Sequence, residues 1–128
     1  MKSFLNSILL LIIALILGII LIPTSIILTI PIVFVTDSLQ SAFSKLAKYI
    51  RSLAMGIDQV GNVTMEYGLN SIAITNEGYQ FGNESETISS ALGKNQVKGT
   101  LTSFGKSIVN ILNWINPNHC LNAINNRV

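Results

Sequence analysis

The stretch from Phe4 to Thr36, FLNSILLLIIALILGIILIPTSIILTIPIVFVT, contains no charged residue and decides the architecture of this chain. About 20 helical residues cross a hydrocarbon core of about 30 Å, so the stretch is long enough to span a bilayer and too long to do so upright as one straight helix. Only 11% of all residues are charged and the mean hydropathy is +0.54, whereas roughly a quarter of the residues in soluble domains are charged. Residues 1–36 are therefore predicted to form a transmembrane anchor.

Two prolines lie within this stretch. Pro23 and Pro31 each lack a backbone donor and clash with the preceding helical turn. The main span is therefore predicted at Leu5 to Ile22, with a kink or break directly after it. Residues 26–35 are then either a tilted continuation of the span or a short re-entrant piece, because ten residues cannot cross a bilayer at helical rise.

A secretory signal peptide is the competing interpretation, since Lys2 precedes the apolar stretch. The stretch is much longer than the about 7 to 15 residues of a signal core, and no A-x-A-like cleavage site follows it, which favours an uncleaved anchor. The cations after the span, Lys45, Lys48 and Arg51, outnumber Lys2 and the α-amine before it. The positive-inside rule therefore predicts a cytoplasmic C-terminal part.

Residues 37–128 are predicted to form a small helical domain, which makes the fold class all-α. Within residues 37–60, apolar side chains recur every three or four positions, as in an amphipathic helix: Leu39, Phe43, Leu46, Ile50, Leu53, Ile57 and Val60. Asp37 and Gln40 are spaced as in a capping box. The apolar stripe is predicted to lie on the bilayer surface, with its cations among lipid headgroups, or to pack on the C-terminal helix as a protein core.

The remaining segments follow from turn and capping residues. Repeated glycine and asparagine predict a long, partly irregular loop over residues 61–83, with a short strand or helical turn at Leu69 to Ile74 left open. Residues 84–93 are predicted to be a short helix capped by Asn83 or Ser85. A second amphipathic helix is predicted over residues 100–116, and residues 117–128 form a tail with one or two last turns.

No motif in the sequence favours catalysis, a metal or a cofactor. The single cysteine, Cys120, excludes an intramolecular disulfide, and its neighbour His119 completes only two soft metal ligands. Adjacent residues usually point apart, so a Cys-His nucleophile pair is disfavoured. The carboxylates and hydroxyls of residues such as Asp58, Glu86 and Ser89 need no catalytic role, because helix capping or exposure to solvent is enough to account for them. A net charge of +2 from scattered cations also disfavours nucleic acid binding. The chain is predicted to be no enzyme.

Three ordered blocks, Gly56–Asn62, Asn83–Ser90 and Trp114–Cys120, resemble a family of small, uncharacterised phage and prophage proteins that carry "IDQ..N", "DETISSR" and "DxxHC" elements in this order. The resemblance covers roughly Leu53 to Ile124. The chain differs from that family in three respects: Ala91 stands where the family usually has arginine, the loop is longer, and an N-terminal anchor is added. The residues carried over by position are Asp58, Gln59, Asn62, Glu86, Thr87, Ile88, Ser89, Ser90, His119 and Cys120.

The resemblance implies a phage or mobile-element origin and a bacterial inner-membrane setting, with no known activity. Physically, Asp58, Gln59 and Asn62 are expected to hydrogen-bond the Glu86 to Ser90 cap and the His119 end, with Asp58 and His119 as a charge-assisted pair. The sequence thus predicts a membrane-anchored interaction protein that binds a membrane or phage protein or its own copies. A holin-like pore or lysis protein and a structural subunit of a membrane assembly are the alternatives.

Overall fold

The computed structural model describes all 128 residues and is all-helical, with one long apolar helix at the N-terminus. No strand is present, and a single antiparallel bridge joins Ile74 to Leu101. The chain divides into two compact units, residues 1–50 and residues 51–128. The helices, in chain order, are α1 (Lys2–Thr36), α2 (Leu39–Thr64), α3 (Glu66–Ile72), α4 (Ile88–Lys98), α5 (Ser103–Ile115) and α6 (His119–Asn122).

Helix α1 continues without interruption through both prolines, so of the kink or break predicted after Ile22 the break does not occur, and residues 26–35 continue the helix. Next to Pro23, the Thr24 hydroxyl donates to the Ile20 carbonyl at 2.6 Å and the Ser25 hydroxyl donates to the Ile22 carbonyl at 2.9 Å. Neither bond reaches the Ile19 carbonyl, which is the one that Pro23 leaves without its usual N–H donor. None of the residues of α1 is buried within the chain, and α1 is the one helix long and apolar enough to cross a membrane.

The first unit is a helical hairpin, in which α1 is followed by the part of α2 up to Ile50. The Ser25 and Tyr49 hydroxyls are hydrogen-bonded at 2.9 Å, and the rings of Phe34 and Phe43 meet edge to face with centroids 5.5 Å apart. At the turn, Lys45 forms an ion pair with Asp37 at 2.6 Å, and its hydrogen bond is the main cause of the lowered pKa of that carboxyl. These contacts hold α2 antiparallel beside the second half of α1.

The second unit is built around α4, which packs against α5 and α6. Helix α4 begins at the cap Thr87 and ends at Gly99, which has the left-handed φ of 72° that favours glycine at a helix C-terminus. Helix α5 begins at the cap Thr102. The apolar core consists of buried residues from these helices and from the segments between them: Leu69, Ala73, Ile74, Phe81, Ala91, Leu92, Leu101, Val109 and Cys120.

The predicted loop over residues 61–83 is wrong in its first half. Helix α2 continues to Thr64 and α3 follows at once, so the irregular segment is confined to residues 73–87. Gly61, taken as a breaker, lies in the helix where a Cβ would come within 3.0 Å of the Ile88 side chain. Helix α4 likewise extends past its predicted end at Gly93, because Gly93 packs directly on the Cys120 carbonyl instead of ending the helix.

The predicted packing of the α2 stripe on the C-terminal helix is not found. In the second unit, Ile57 and Val60 remain 59% and 63% exposed, whereas Asn62 on the same helix is fully buried. Helix α2 therefore turns polar side chains towards the core of this unit and leaves Ile57 and Val60 largely exposed.

Candidate functional site

The first two motif blocks meet through Asp58, which lies on α2 and reaches the first turn of α4. The Asp58 carboxylate accepts hydrogen bonds from the Ile88 amide at 3.0 Å, the Ser89 hydroxyl at 2.8 Å and, more weakly, the Ser89 amide at 3.4 Å. The free N–H groups of a helix N-terminus favour a negative charge at this position. Asp58 therefore acts as a second cap on α4, supplied from a distant part of the chain.

Asn62 lies one turn after Asp58 and is completely buried. Its amide group donates to the Asn83 and Glu86 carbonyls, both at 2.9 Å, and its oxygen accepts from the Gly82 amide at 3.3 Å. An asparagine side chain offers two donors and two acceptor positions, so one residue satisfies three backbone groups of the loop. Asn62 thereby fixes the loop that leads into α4.

The motif residues Thr87 and Ser90 complete the first turn of α4. The Thr87 hydroxyl accepts from the Ser90 amide at 3.0 Å, as an N-cap residue does. The Ser90 hydroxyl donates to Glu86 at 2.6 Å and accepts from the Asn125 amide at 2.8 Å. Through Ser90, the middle motif block is thus joined to the C-terminal segment.

Glu86 is the buried charge of this network, at 1% exposure. Its carboxylate accepts from the Tyr79 hydroxyl at 2.7 Å and forms an ion pair with Lys94 at 2.7 Å. Burial alone would lower the pKa of Lys94, but the hydrogen bonds and charge of Glu86 and Tyr79 outweigh it, so the net shift is upward. The lysine ammonium also lies 4.2 Å from the centre of the Tyr79 ring, a cation-π geometry.

Sequence reasoning missed Tyr79, Lys94 and Asn95. Asn95 is fully buried; its oxygen accepts from the Tyr79 amide at 2.7 Å and the Thr100 hydroxyl at 2.6 Å. Its amide group donates to the Tyr79 and Ala91 carbonyls. One feature of the sequence could have identified Asn95: it follows Ala91 by four residues, so the two lie on the same face of a helix. This spacing is informative only if the helix is known to continue past Gly93, as α4 does.

The third block supplies His119, which lines the cleft described below, and Cys120, which is buried in the core. The His119 ring approaches the Asn116 amide at 3.4 Å and forms no ion pair with Asp58, so the expected Asp58 and His119 pair is not made. The Cys120 thiol is fully buried. Burial, reinforced by the charge of Asp58, raises its pKa to about 11, which keeps it a neutral thiol rather than a nucleophilic thiolate at physiological pH.

Five of the predicted residues line one cleft of about 630 Å³ in the second unit: Asp58, Gln59, Thr87, Ser89 and His119. Arg51, Asn116, Asn122 and Asn125 also line it. Glu86, Ser90, Asn62 and Cys120 lie outside it, in the core behind. No group of three His, Cys, Asp or Glu side chains is placed to hold a metal ion. The cleft offers a guanidinium, an imidazole and several amides, which suit hydrogen bonding to a partner.

Comparison of the chain with models of protein families, with curated proteins and with solved structures finds no match in any of the three.

Proposed function

We propose that this protein is a membrane-anchored, non-enzymatic interaction protein of phage or mobile-element origin. It resides in the bacterial inner membrane and presents its second unit to a protein partner in the cytoplasm. The observation that carries the proposal is α1, an unbroken apolar helix of 35 residues without a single buried residue.

Helix α1 requires a cover that the chain does not provide. Side chains along its whole length are exposed, for example Leu10 at 67%, Ile19 at 74% and Ile27 at 69%. Burial of apolar surface is worth roughly 25 cal/mol per Å², so a helix of this composition in water is strongly disfavoured. A helix also satisfies its own backbone hydrogen bonds, as the hydrocarbon core demands. Lipid is the cover that fits both properties.

The second unit supports a binding role rather than catalysis. Three of the groups that could act chemically are already engaged: Asp58 caps α4, Ser89 donates to Asp58, and the Cys120 thiol is buried and protonated. By contrast, Arg51 and Gln59 line the cleft without any partner in the chain. Free donors beside a concave surface are what a bound partner would use.

The setting of the proposal rests on the sequence. The phage origin is supported by the three motif blocks, and the cytoplasmic orientation by the cations that follow the apolar stretch. The cations that count are Lys45, Lys48 and Arg51, because the positive-inside rule counts lysine and arginine and is little affected by neighbouring carboxylates.

The protein contains its own control for a test of anchoring and topology. Because Cys120 is buried, a membrane-impermeant maleimide added to whole cells or inverted vesicles should leave the native chain unlabelled. The variant Asn126→Cys adds an exposed thiol near the C-terminus. Labelling of this variant only in inverted vesicles, with the protein in the membrane fraction, is the expected result. Labelling in intact spheroplasts would contradict the orientation.

The anchor itself is tested by charge. Substitution of both Leu15 and Ile16 by arginine places two charges in the middle of α1, each costing about 2.5 to 3.5 kcal/mol in membrane insertion. The double variant should leave the membrane fraction, whereas alanine at the same two positions should not. Retention of the arginine variant in the membrane would contradict anchoring by α1.

Membrane potential separates this function from a holin-like pore. A pore needs polar groups along its lumen. Helix α1 has no charged residue between Lys2 and its end at Thr36, and the hydroxyls of Ser7, Thr24 and Ser25 donate to carbonyls of the helix itself. Induced expression of the full chain should therefore leave the potential unchanged. Rapid depolarisation that is lost with the arginine variant would favour the pore instead.

A further inference from the structure

Helix α2 in the second unit has its polar face inside and its apolar face outside. Asp58 and Asn62 hold the loop before α4, whereas Ile57 and Val60 are 59% and 63% exposed. An amphipathic helix of a monomeric domain is normally arranged the other way round. The apolar face of α2 therefore requires a partner outside the chain.

The spacing of the apolar residues identifies the kind of partner. From Leu39 to Val60 they follow one another at alternating intervals of four and three residues, a heptad repeat without interruption. Aromatic and β-branched residues occupy one set of heptad positions, a: Phe43, Ile50 and Ile57. Leucine and valine occupy the other, d: Leu39, Leu46, Leu53 and Val60. Such a repeat keeps one seam facing a second helix along its length, and Ile at a with Leu at d favours two parallel strands.

Most of this seam is accessible in the structure. Leu39, Phe43 and Ile50 are 67%, 57% and 56% exposed, although Phe43 also touches Phe34. Leu46 and Leu53 are half-buried. Every a position thus presents more than half of its side chain to the surroundings of the chain.

The width of the apolar face of α2 favours a second helix over a bilayer surface as the cover. A helix that lies in the interface buries a broad apolar face and carries its lysine and arginine on the polar face. The leucine, isoleucine and phenylalanine side chains of α2 are confined to the a and d positions, which are flanked by small residues such as Ala47, Ala54 and Gly56. A strict a and d stripe of this kind is the narrow seam of a coiled coil.

We propose that α2 pairs along this seam with α2 of a second copy of the chain, as a parallel two-stranded coiled coil. The parallel direction rests on the proposed anchoring, because two copies inserted by α1 enter the membrane in the same sense. The seam itself does not depend on it. In such a pair, like a positions of the two chains meet, so Ile50 faces Ile50 and Ile57 faces Ile57.

Disulfide crosslinking of the full chain in its membrane tests this arrangement. The matched pair of variants is Ile57→Cys on the seam and Met55→Cys on the opposite face, since the two side chains are similarly exposed, at 59% and 51%. Ile50→Cys and Ser44→Cys form a second such pair. Native Cys120 is buried and contributes no background.

Under mild oxidation at low expression, Ile50→Cys and Ile57→Cys should each give a dimer band at least fivefold stronger than Met55→Cys and Ser44→Cys. Equal bands at all four positions would indicate random collision, and no band at the seam positions would indicate another cover; either result overturns the proposal. Fractionation of the same samples reports anchoring separately. Seam-specific dimers in a soluble fraction would retain the coiled coil and refute the anchor.

Discussion

Replacing Asp58 by alanine should destabilise the second unit more than any other change at an incompletely buried motif residue. The substitution removes the acceptor for the Ile88 amide at 3.0 Å and for the Ser89 hydroxyl at 2.8 Å. Hydrogen bonds to a charged group contribute about 1.5 to 3 kcal/mol each, and the loss of a helix cap costs typically about 1 kcal/mol. Since Asp58 is only half-buried, solvent screening reduces the sum, and we expect a loss of about 3 kcal/mol.

Cys120 provides the assay for this loss. The thiol is fully buried in the folded unit, so its reaction with a maleimide during heating reports unfolding in the full chain, in mild detergent. For a domain of 60 to 100 residues, about 1 kcal/mol corresponds to about 4 to 8 °C, so the midpoint of thiol exposure should fall by roughly 12 to 24 °C.

Two further variants make the result specific. Glu84→Ala removes an exposed carboxylate without a hydrogen bond in the same loop and should leave the midpoint unchanged. Asp58→Asn keeps one acceptor but loses the charge, so it should fall between wild type and alanine. A midpoint for Asp58→Ala within about 2 to 4 °C of wild type, which corresponds to about 0.5 kcal/mol, would refute the role of Asp58 as a cap on α4.

Three other outcomes follow from buried groups. Lys94→Met leaves Glu86 buried without its cation and should lower the free energy of unfolding by about 3 to 5 kcal/mol. Adding Glu86→Gln should recover part of this loss, and a double variant less stable than Lys94→Met would contradict the ion pair. In the same unfolding assay, Gly93→Ala should cost about 1 to 3 kcal/mol because its Cβ meets the Cys120 carbonyl, whereas Gly56→Ala, in open space, should gain up to about 1 kcal/mol. The pKa of Cys120 is raised from 9.0 to about 11, so the thiol of the unfolded chain ionises at lower pH than that of the folded chain. The free energy of unfolding is therefore unaffected by this group below pH 9 and should fall by about 1 kcal/mol between pH 9 and 10 in urea titrations. The variant Cys120→Ala should lack this decrease.

The long periodic elements could be predicted from the sequence because periodicity is a local property. The helix predicted over residues 37–60 coincides closely with α2, and that predicted over residues 100–116 with α5. Both contain enough turns for the apolar spacing to stand out from chance. The sequence left open whether the helix continues past Pro23 and Pro31, as α1 does, because a helix that loses a backbone donor at a proline can kink and continue or can break.

Two glycines that were expected to end helices lie inside them, and the reason is physical. Gly61 and Gly93 are helical residues that allow another segment to approach closely, Ile88 in one case and the Cys120 backbone in the other. Sequence alone does not distinguish a glycine required for contact from one required for a turn. The end of α4 is fixed instead by Gly99, whose positive φ does require glycine.

The candidate site was predictable only in part. Hydrogen bonds of Asp58 and Asn62 with the Glu86 to Ser90 segment were expected and are present, although they link residues 24 to 31 positions apart. The partner of His119 was not predicted correctly, since the Asp58 oxygens are used by α4. Lys94 and Asn95 became visible only with the true length of α4, because their partners are set by packing.

The polar network explains why α2 can expose its apolar face. Asp58 and Asn62 use the polar face of the helix to satisfy the backbone of the loop before α4, so the position of α2 in the second unit is specified by hydrogen bonds. Buried hydrogen bonds of this kind contribute geometry as well as stability, because an unsatisfied partner is costly. The apolar face of α2 is then not needed to form the core of the second unit. A helix whose packing within the second unit depends on its polar face has hydrophobic side chains such as Ile57 and Val60 available for the second copy proposed above.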